Sequence, residues 1–128
     1  MEKKEFLSKQ QCEALSELNY DGDYDYVYHA TGEIWERGKK DKKERFVPAP
    51  LKQQVFRWFR EKYGLYQQIE VFRLSEFKDD ELFFDFKIID KSDDTDFVYD
   101  NDLYSTYEEA EDEAINKLIE IAKQQDNE

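Results

Sequence analysis

Residues 48–65 of the chain read PAPLKQQVFRWFREKYGL, and this stretch carries the clearest helix signal in the sequence. Pro50 suits the first position of a helix, because its missing N–H would have no partner there. Gly64 can take the left-handed conformation that ends a helix. Between them an apolar stripe with a 3.6-residue period is formed by Leu51, Val55, Trp58, Phe59 and Tyr63. The stretch predicts a helix over residues 50–63 with one buried face.

A second helix signal lies near the start of the chain. Ser8 and Gln11 have the spacing of a capping box, in which each side chain bonds the backbone of the other residue. Leu7 and Cys12 occupy the two positions of a hydrophobic staple. Turn residues follow Asn19, so we expect the helix to end there.

A third helix is predicted from residue 105 onward. Two capping boxes are possible at its start, Ser105 with Glu108 or Thr106 with Glu109. Its expected buried face consists of Ala110, Ala114, Leu118, Ile121 and Ala122, with Ile115 beside it. Residues 124–128 are expected to form a frayed tail.

Strand signals fill the intervals between the helices. Alternating tyrosines and the turn at Thr31-Gly32 predict a hairpin over residues 24–36. Residues 68–74 and 82–89 predict a second antiparallel pair, and residues 97–99 a short further strand. The inward face of the strand at 82–89 is expected to be formed by Leu82, Phe84, Phe86 and Ile88.

These elements predict a single α+β domain over residues 1–128. Strands that follow one another through short turns are antiparallel, so we expect a small antiparallel sheet packed by helices, in the order α-β-β-α-β-β-(β)-α. Residues 38–45, GKKDKKER, contain no apolar side chain and are expected to form an exposed charged loop.

Composition excludes several classes of protein. With one cysteine and one histidine, the chain has neither a disulfide framework nor the ligands of a usual zinc site. It contains no apolar run long enough for a transmembrane helix, and its first residues lack the apolar region of a signal peptide. We therefore expect a cytoplasmic protein without membrane contact or cofactor.

Charge is distributed unevenly along the chain. The net charge is −13, yet residues 1–75 sum to +1, residues 76–128 to −14, and residues 37–62 to +7. The simplest interpretation is a well-solvated surface. A sharper one is an acidic surface that imitates the phosphates of DNA and thereby inhibits a host protein. The acidic candidates for such an interaction are Asp93, Asp94, Asp96, Asp100, Asp102, Glu108, Glu109 and Asp112.

The basic segment 37–62 raises the alternative of nucleic-acid binding. Its candidate basic patch consists of Lys39, Lys40, Lys42, Lys43 and Arg45, with Trp35 or Trp58 available for base stacking. Trp58 belongs to the apolar stripe, and the acidic remainder of the chain would repel phosphates, so this alternative is disfavoured.

Asp85-Phe86-Lys87 has the D-x-K form of a nuclease superfamily, in which carboxylates hold Mg²⁺ and the lysine orients the attacking water. Asp85 and Lys87 share one face of a predicted strand, and a second carboxylate would come from Glu70 or Glu76. A three-residue pattern arises often by chance, so cross-strand ion pairing is the preferred interpretation and a metal-dependent nuclease the alternative.

Aromatic residues are abundant, with nine tyrosines, ten phenylalanines and two tryptophans. Tyrosine is favoured at protein interfaces, because it buries a large area at a low entropy cost. Tyr24, Tyr26 and Tyr28 are therefore candidate interaction residues, although coverage of one face of a small sheet is the preferred interpretation.

Residues 48–65, with the closing stretches TYEEAE (106–111) and NKLIEI (116–121), resemble a family of small uncharacterised proteins from Bacteroidetes genomes and their phages. The resemblance spans nearly the whole chain and implies a shared fold. It implies no activity and no catalytic residue. It points to a phage or mobile-element accessory protein whose partner is a host or phage protein. We therefore expect a non-enzymatic protein-interaction protein, with no catalytic or metal-binding residue assigned.

Overall fold

A computed structural model describes residues 6–29, 31–37, 46–73, 82–91, 97–99 and 103–126 of the chain. It contains three helices and two small antiparallel sheets, which confirms the α+β class. In chain order the elements are α1 (Lys9–Glu17), β1 (Tyr26–Tyr28), β2 (Ile34–Glu36), β3 (Val47–Pro48), α2 (Lys52–Tyr63), β4 (Leu65–Arg73), β5 (Leu82–Asp90), β6 (Phe97–Tyr99) and α3 (Tyr107–Asp126). The predicted loop at residues 38–45 lies outside the described residues.

Helix α1 has the predicted capping box. The amide of Gln11 donates to the Ser8 hydroxyl oxygen at 3.1 Å, and the amide of Ser8 donates to the Gln11 side-chain oxygen at 3.0 Å. Leu7 and Cys12 are both buried, as expected of a hydrophobic staple. Asn19 follows the helix with a φ of 61°, which confirms the predicted end.

Helix α2 begins two residues later than predicted. Lys52, not Pro50, is the first residue of the helix, because the backbone of Leu51 is extended and forms a bridge with Phe6. The Leu51 amide donates to the side chain of Gln54 at 2.9 Å. Gly64 ends the helix with a φ of 68°, as predicted.

Helix α3 has the Thr106 cap of the second predicted box. The amide of Glu109 donates to the Thr106 hydroxyl oxygen at 3.1 Å. Beyond residue 124, where fraying was expected, the helix continues to Asp126. The Tyr63 hydroxyl donates to the Asp126 carboxylate at 3.0 Å, and Gln125 donates to Asp90 at 3.3 Å. These bonds to β5 and α2 hold the last turn in place.

The strands form two three-stranded sheets, where one sheet was expected. The first has the order β2-β1-β3, and the second the order β4-β5-β6. Strand β3 was not predicted, because two residues ending in a proline carry no strand pattern. It pairs through Tyr28 opposite Val47, and the Ala49 amide donates to the Tyr26 carbonyl oxygen at 2.8 Å.

Helices α2 and α3 pack against one face of the second sheet. Ile69 lies opposite Phe86 in the register of β4 and β5, and Phe86 and Ile88 are buried in the core. The prediction was wrong for Leu82, which is 43% exposed. Leu82 is the first residue of β5 and lies opposite Arg73, the last residue of β4, at the opposite end of the strand from the buried Ile88. The main core joins buried residues of all three helices to β5; its largest fully buried side chains include Phe59, Phe86, Leu7, Leu15, Leu65, Ile88, Ile115 and Leu118.

Candidate interaction groove

Two adjoining grooves run along the side of the molecule where the first sheet meets α1 and α3. The first, called here the tyrosine groove, has a volume of about 800 Å³. Its lining residues are Phe6, Tyr26, Tyr28, Gly32, Glu33, Ile34 and Glu36. The β1–β2 register explains this grouping, since Tyr26 lies opposite Glu36 and Tyr28 opposite Ile34 on the same face of the sheet. The ring of Phe6 meets that of Tyr26 edge to face at 5.1 Å.

The second groove, called the lysine groove, has a volume of about 610 Å³ and shares Phe6 and Tyr28 with the first. Its lining residues are Phe6, Leu7, Ser8, Gln10, Gln11, Ala14, Tyr28, Lys52, Glu108, Asp112, Glu113, Asn116 and Ile119. Each groove is therefore lined by apolar or aromatic side chains together with carboxylates.

Lys52 is the buried charge of the lysine groove. Its ammonium lies 3.1 Å from the Asp112 carboxylate and 3.9 Å from Glu111, and its side chain is only 5% exposed. Burial raises the pKa of the Glu111 carboxyl group, although Lys52 acts in the opposite direction. The lysine ties the start of α2 to the first turns of α3 and neutralises part of the acidic charge there.

Gln11 joins α1 to the same region. Its side-chain nitrogen donates to the Asn116 side-chain oxygen at 2.9 Å and to the Asp112 carbonyl oxygen at 3.3 Å. Its side-chain oxygen accepts the hydrogen bond from the Ser8 amide in the capping box of α1. Every polar atom of this side chain is thus used, and the wall of the lysine groove is held by three helices.

The three predicted tyrosines have different surroundings. Tyr28 is largely buried, and its hydroxyl donates to the Leu7 carbonyl oxygen at 2.6 Å. Tyr26 is half-buried in the tyrosine groove. Tyr24 lies outside both grooves, with the guanidinium of Arg37 4.3 Å from its ring centre. Of the three, Tyr26 is the one with its ring on the accessible floor of a groove.

The acidic candidates fall into two groups. Asp93, Asp94, Asp96, Asp100 and Asp102 lie outside the described residues. The remaining three are in the first turns of α3, where Asp112 pairs with Lys52 and Glu109 accepts hydrogen bonds from the hydroxyls of Ser105 and Thr106. Glu108 and Asp112 line the lysine groove.

The basic candidates Lys39, Lys40, Lys42, Lys43 and Arg45 also lie outside the described residues. Further along the same segment, Lys52 is buried and paired, so it is not available to a phosphate. Trp58 is 4% exposed, and its indole N–H donates to Asp21 at 2.6 Å, which confirms its place in the core. Neither residue can take part in nucleic-acid binding without local unfolding.

The structure brings together the residues of the D-x-K pattern. Glu70 lies opposite Asp85, and the Lys87 ammonium is 3.1 Å from the Glu70 carboxylate. Asp85 accepts a hydrogen bond from the amide of Phe86 at 2.7 Å. The arrangement contains the predicted cross-strand ion pair, and among the described residues no group of three potential metal ligands occurs.

Neither Lys52 nor the acidic rim of the tyrosine groove was predicted from the sequence. Signals for both were present. Lys52 precedes Val55, Phe56 and Phe59 at helical spacing, so it belongs to the buried face of α2. The hairpin turn at Thr31-Gly32 places Glu36 opposite Tyr26 once the register is counted.

Comparison with known proteins finds no matching family model, no matching curated protein and no matching solved structure. Within the described part of the chain, no helix has the length and apolar character needed to cross a membrane.

Proposed function

We propose that this chain is a protein-interaction protein that binds a basic, partly apolar segment of another protein in the joined tyrosine and lysine grooves. One observation carries the proposal: the two grooves adjoin at Phe6 and Tyr28, and carboxylates line each of them. A segment with aliphatic or aromatic side chains between lysines or arginines matches that surface in shape and in charge.

The charge balance of the rim supports a basic partner. Five carboxylates line the grooves and one ammonium, that of Lys52, lies among them. The carboxylates are those of Glu33, Glu36, Glu108, Asp112 and Glu113. Lys52 is paired with Asp112, and the carboxylates outnumber the ammonium, so the formal charge of the groove lining is negative and favours a cationic ligand.

The chemistry of the floor supports an apolar contribution to binding. Tyr26 and Ile34 are half-buried, and Phe6 is almost fully buried, so the floor is rigid and needs little ordering when a ligand binds. Rigid aromatic side chains that are partly covered are the usual anchors of protein interfaces. Binding therefore combines burial of apolar area with a rim of charge that makes it sensitive to salt.

The experiment uses a synthetic peptide of alternating lysine and leucine as the probe, measured by isothermal titration against the full chain. We expect binding that weakens as salt is raised, and no binding of the matching glutamate–leucine peptide. Equal affinity for the two peptides, or absence of any binding at low salt, would contradict the proposal.

A pair of variants on one helix localises the binding. Glu113→Lys places a positive charge in the lysine groove, whereas Glu120→Lys makes the same change two turns further along α3, outside the groove. We expect Glu113→Lys to weaken peptide binding about threefold or more, since one exposed ion pair is worth on the order of 0.2–1 kcal/mol and the reversal adds repulsion. An equal effect of the two variants would indicate general attraction to an acidic protein.

A finer form of the proposal concerns the natural partner. The resemblance to Bacteroidetes and phage proteins supports an accessory protein of phage or mobile-element origin. The excess of acidic residues after residue 75 supports a host partner whose own surface is basic, such as a nucleic-acid-binding protein inhibited by an acidic mimic of DNA. The single cysteine supports action in the reducing cytoplasm. Recovery of such a partner from host lysate by the unchanged chain, and its loss with Glu113→Lys, is the corresponding test.

A further inference from the structure

Strand β4 is the edge of the second sheet, because its only strand neighbour among the described residues is β5. The Lys91 amide donates to the Gly64 carbonyl oxygen at 2.8 Å, just before β4 begins. Along an antiparallel strand, consecutive residues direct their N–H and C=O groups to alternate sides. Because Gly64 bonds toward β5, the N–H and C=O groups of Gln67, Ile69 and Val71 point away from β5. No backbone hydrogen bond from a described residue reaches these outward groups.

The side chains along this edge do not protect it from pairing. Tyr66 is 40% exposed, Phe72 36% and Val71 54%. Proteins usually guard an open edge with lysine, proline or a bulge. Strand β4 contains neither lysine nor proline, and Glu70 and Arg73 cancel in charge. In a chain of net charge −13, this edge is a neutral surface on which a second copy can approach.

We propose that β4 pairs with β4 of a second copy, antiparallel, with the two-fold axis between the two copies of Ile69. In this register Tyr66 lies opposite Phe72 of the second copy, and Gln68 lies opposite Glu70. The aromatic pairs and the amide–carboxylate pairs each occur twice by symmetry, and both kinds stabilise neighbouring strands. With the two-fold axis at Glu70 instead, the two copies of Glu70 would lie opposite each other and repel.

The size of the contact sets the strength of the dimer. Three hydrogen-bonded pairs, Gln67 with Val71, Ile69 with Ile69 and Val71 with Gln67, supply about six backbone hydrogen bonds. The paired stretch from Tyr66 to Phe72 is about 24 Å long at ~3.4 Å per residue. A contact this narrow buries less than the ~1,200 Å² of a stable complex, so the dimer is weak, with a dissociation constant in the micromolar range.

Sedimentation equilibrium of the full chain over a broad micromolar range tests the proposal. We expect an average mass that rises from monomer toward dimer as concentration increases. A mass that stays monomeric throughout overturns the proposal and leaves the edge to a strand of a different protein.

Val71→Pro tests the edge itself. It removes an N–H that points away from β5, at an exposed position where an edge strand tolerates proline. By symmetry the dimer loses two hydrogen bonds, so its affinity should fall about tenfold, while far-UV circular dichroism and urea unfolding confirm that the monomer is folded. A dimer that is unaffected in a folded variant must form elsewhere, which overturns the proposal.

Two substitutions of Gln68 test the register. Gln68→Glu places like charges opposite each other twice and should weaken the dimer about fivefold, whereas Gln68→Lys pairs with Glu70 of the second copy and should strengthen it by a similar factor. Inside the monomer Gln68 lies opposite Lys87, so the effects on monomer stability have the opposite sign. Equal effects of the two variants on dimer affinity would overturn this register.

Discussion

Removal of either charge from the buried ion pair of Lys52 should destabilise the fold, and by unequal amounts. The ammonium of Lys52 lies 3.1 Å from the Asp112 carboxylate, with side-chain exposures of 5% and 48%. At that distance the attraction is about 5 kcal/mol for an effective dielectric constant of ~20. Much of this attraction is offset by the cost of burying the ammonium. The change in stability therefore depends on which charged group each substitution leaves unpaired.

Asp112→Asn leaves a charged ammonium in a buried position. Glu111, 3.9 Å away, is the remaining carboxylate near it. Loss of one partner of a fully buried pair costs roughly 3–5 kcal/mol, and the second carboxylate lessens that penalty. We therefore expect Asp112→Asn to lower the free energy of unfolding by about 2–3 kcal/mol.

Lys52→Met instead leaves the carboxylate of Asp112 without the ammonium. The carboxylate of Asp112 is about half exposed, so water can solvate it once the ammonium is gone. Methionine keeps the apolar stem that packs at the start of α2. We expect a loss of about 1 kcal/mol or less, and the double variant Lys52→Met, Asp112→Asn should be about as stable as Lys52→Met alone.

The assay is equilibrium unfolding in urea, followed by tryptophan fluorescence and far-UV circular dichroism. Both signals should give one transition with an unchanged slope, so that midpoints report stability directly. Glu113→Gln, next to Asp112 but exposed, is the matched control and should stay within about 0.5 kcal/mol of the unchanged chain. If Asp112→Asn is no more destabilising than Lys52→Met, the reasoning from a buried ammonium is refuted.

Three further predictions concern single positions. Gly64→Ala places a Cβ on a residue with a φ of 68°, 3.4 Å from the Cβ of Lys91. The free energy of unfolding in urea should fall by about 1–2 kcal/mol, and unchanged stability would contradict the expected backbone strain. Burial and the hydrogen bond with Asp126 raise the pKa of Tyr63 to about 12, above the ~10 of an unfolded chain. The stability that the Tyr63 hydroxyl contributes is complete below pH ~10 and is lost as the pH rises through its folded pKa. Tyr63→Phe should therefore flatten the decline in thermal stability at alkaline pH. An identical decline in both proteins would contradict this role of Tyr63. Burial raises the pKa of the Cys12 thiol to about 12, so labelling by a thiol reagent at neutral pH should require unfolding, and rapid labelling of the native chain would contradict that burial.

The helices were largely predictable because their signals are local. The capping box of Ser8 and Gln11 and the glycine after Tyr63 act on neighbouring backbone groups, and both appear in the structure as expected. The start of α2 was misplaced for a non-local reason. Leu51 is held extended by a bridge to Phe6, and no pattern near Pro50 reveals that contact.

The groove was only partly predictable. Tyr26 and Asp112 were singled out for their residue types, and the structure places both on groove walls. That Phe6 joins the two grooves, and that Lys52 neutralises Asp112, depends on three helices and a sheet meeting at one point. Charge counted along the chain could not show which carboxylates already have a partner.

The sequence by itself determined the helix boundaries set by caps, the apolar face of each helix and the antiparallel α+β class, since these follow from spacings of a few residues. Only the tertiary structure decided that the strands divide into two sheets, that Lys52 is buried against α3 and that β4 is left as an open edge. Those outcomes depend on contacts between segments far apart in the chain. The free energy of such contacts is set by side-chain packing and desolvation and not by local propensity.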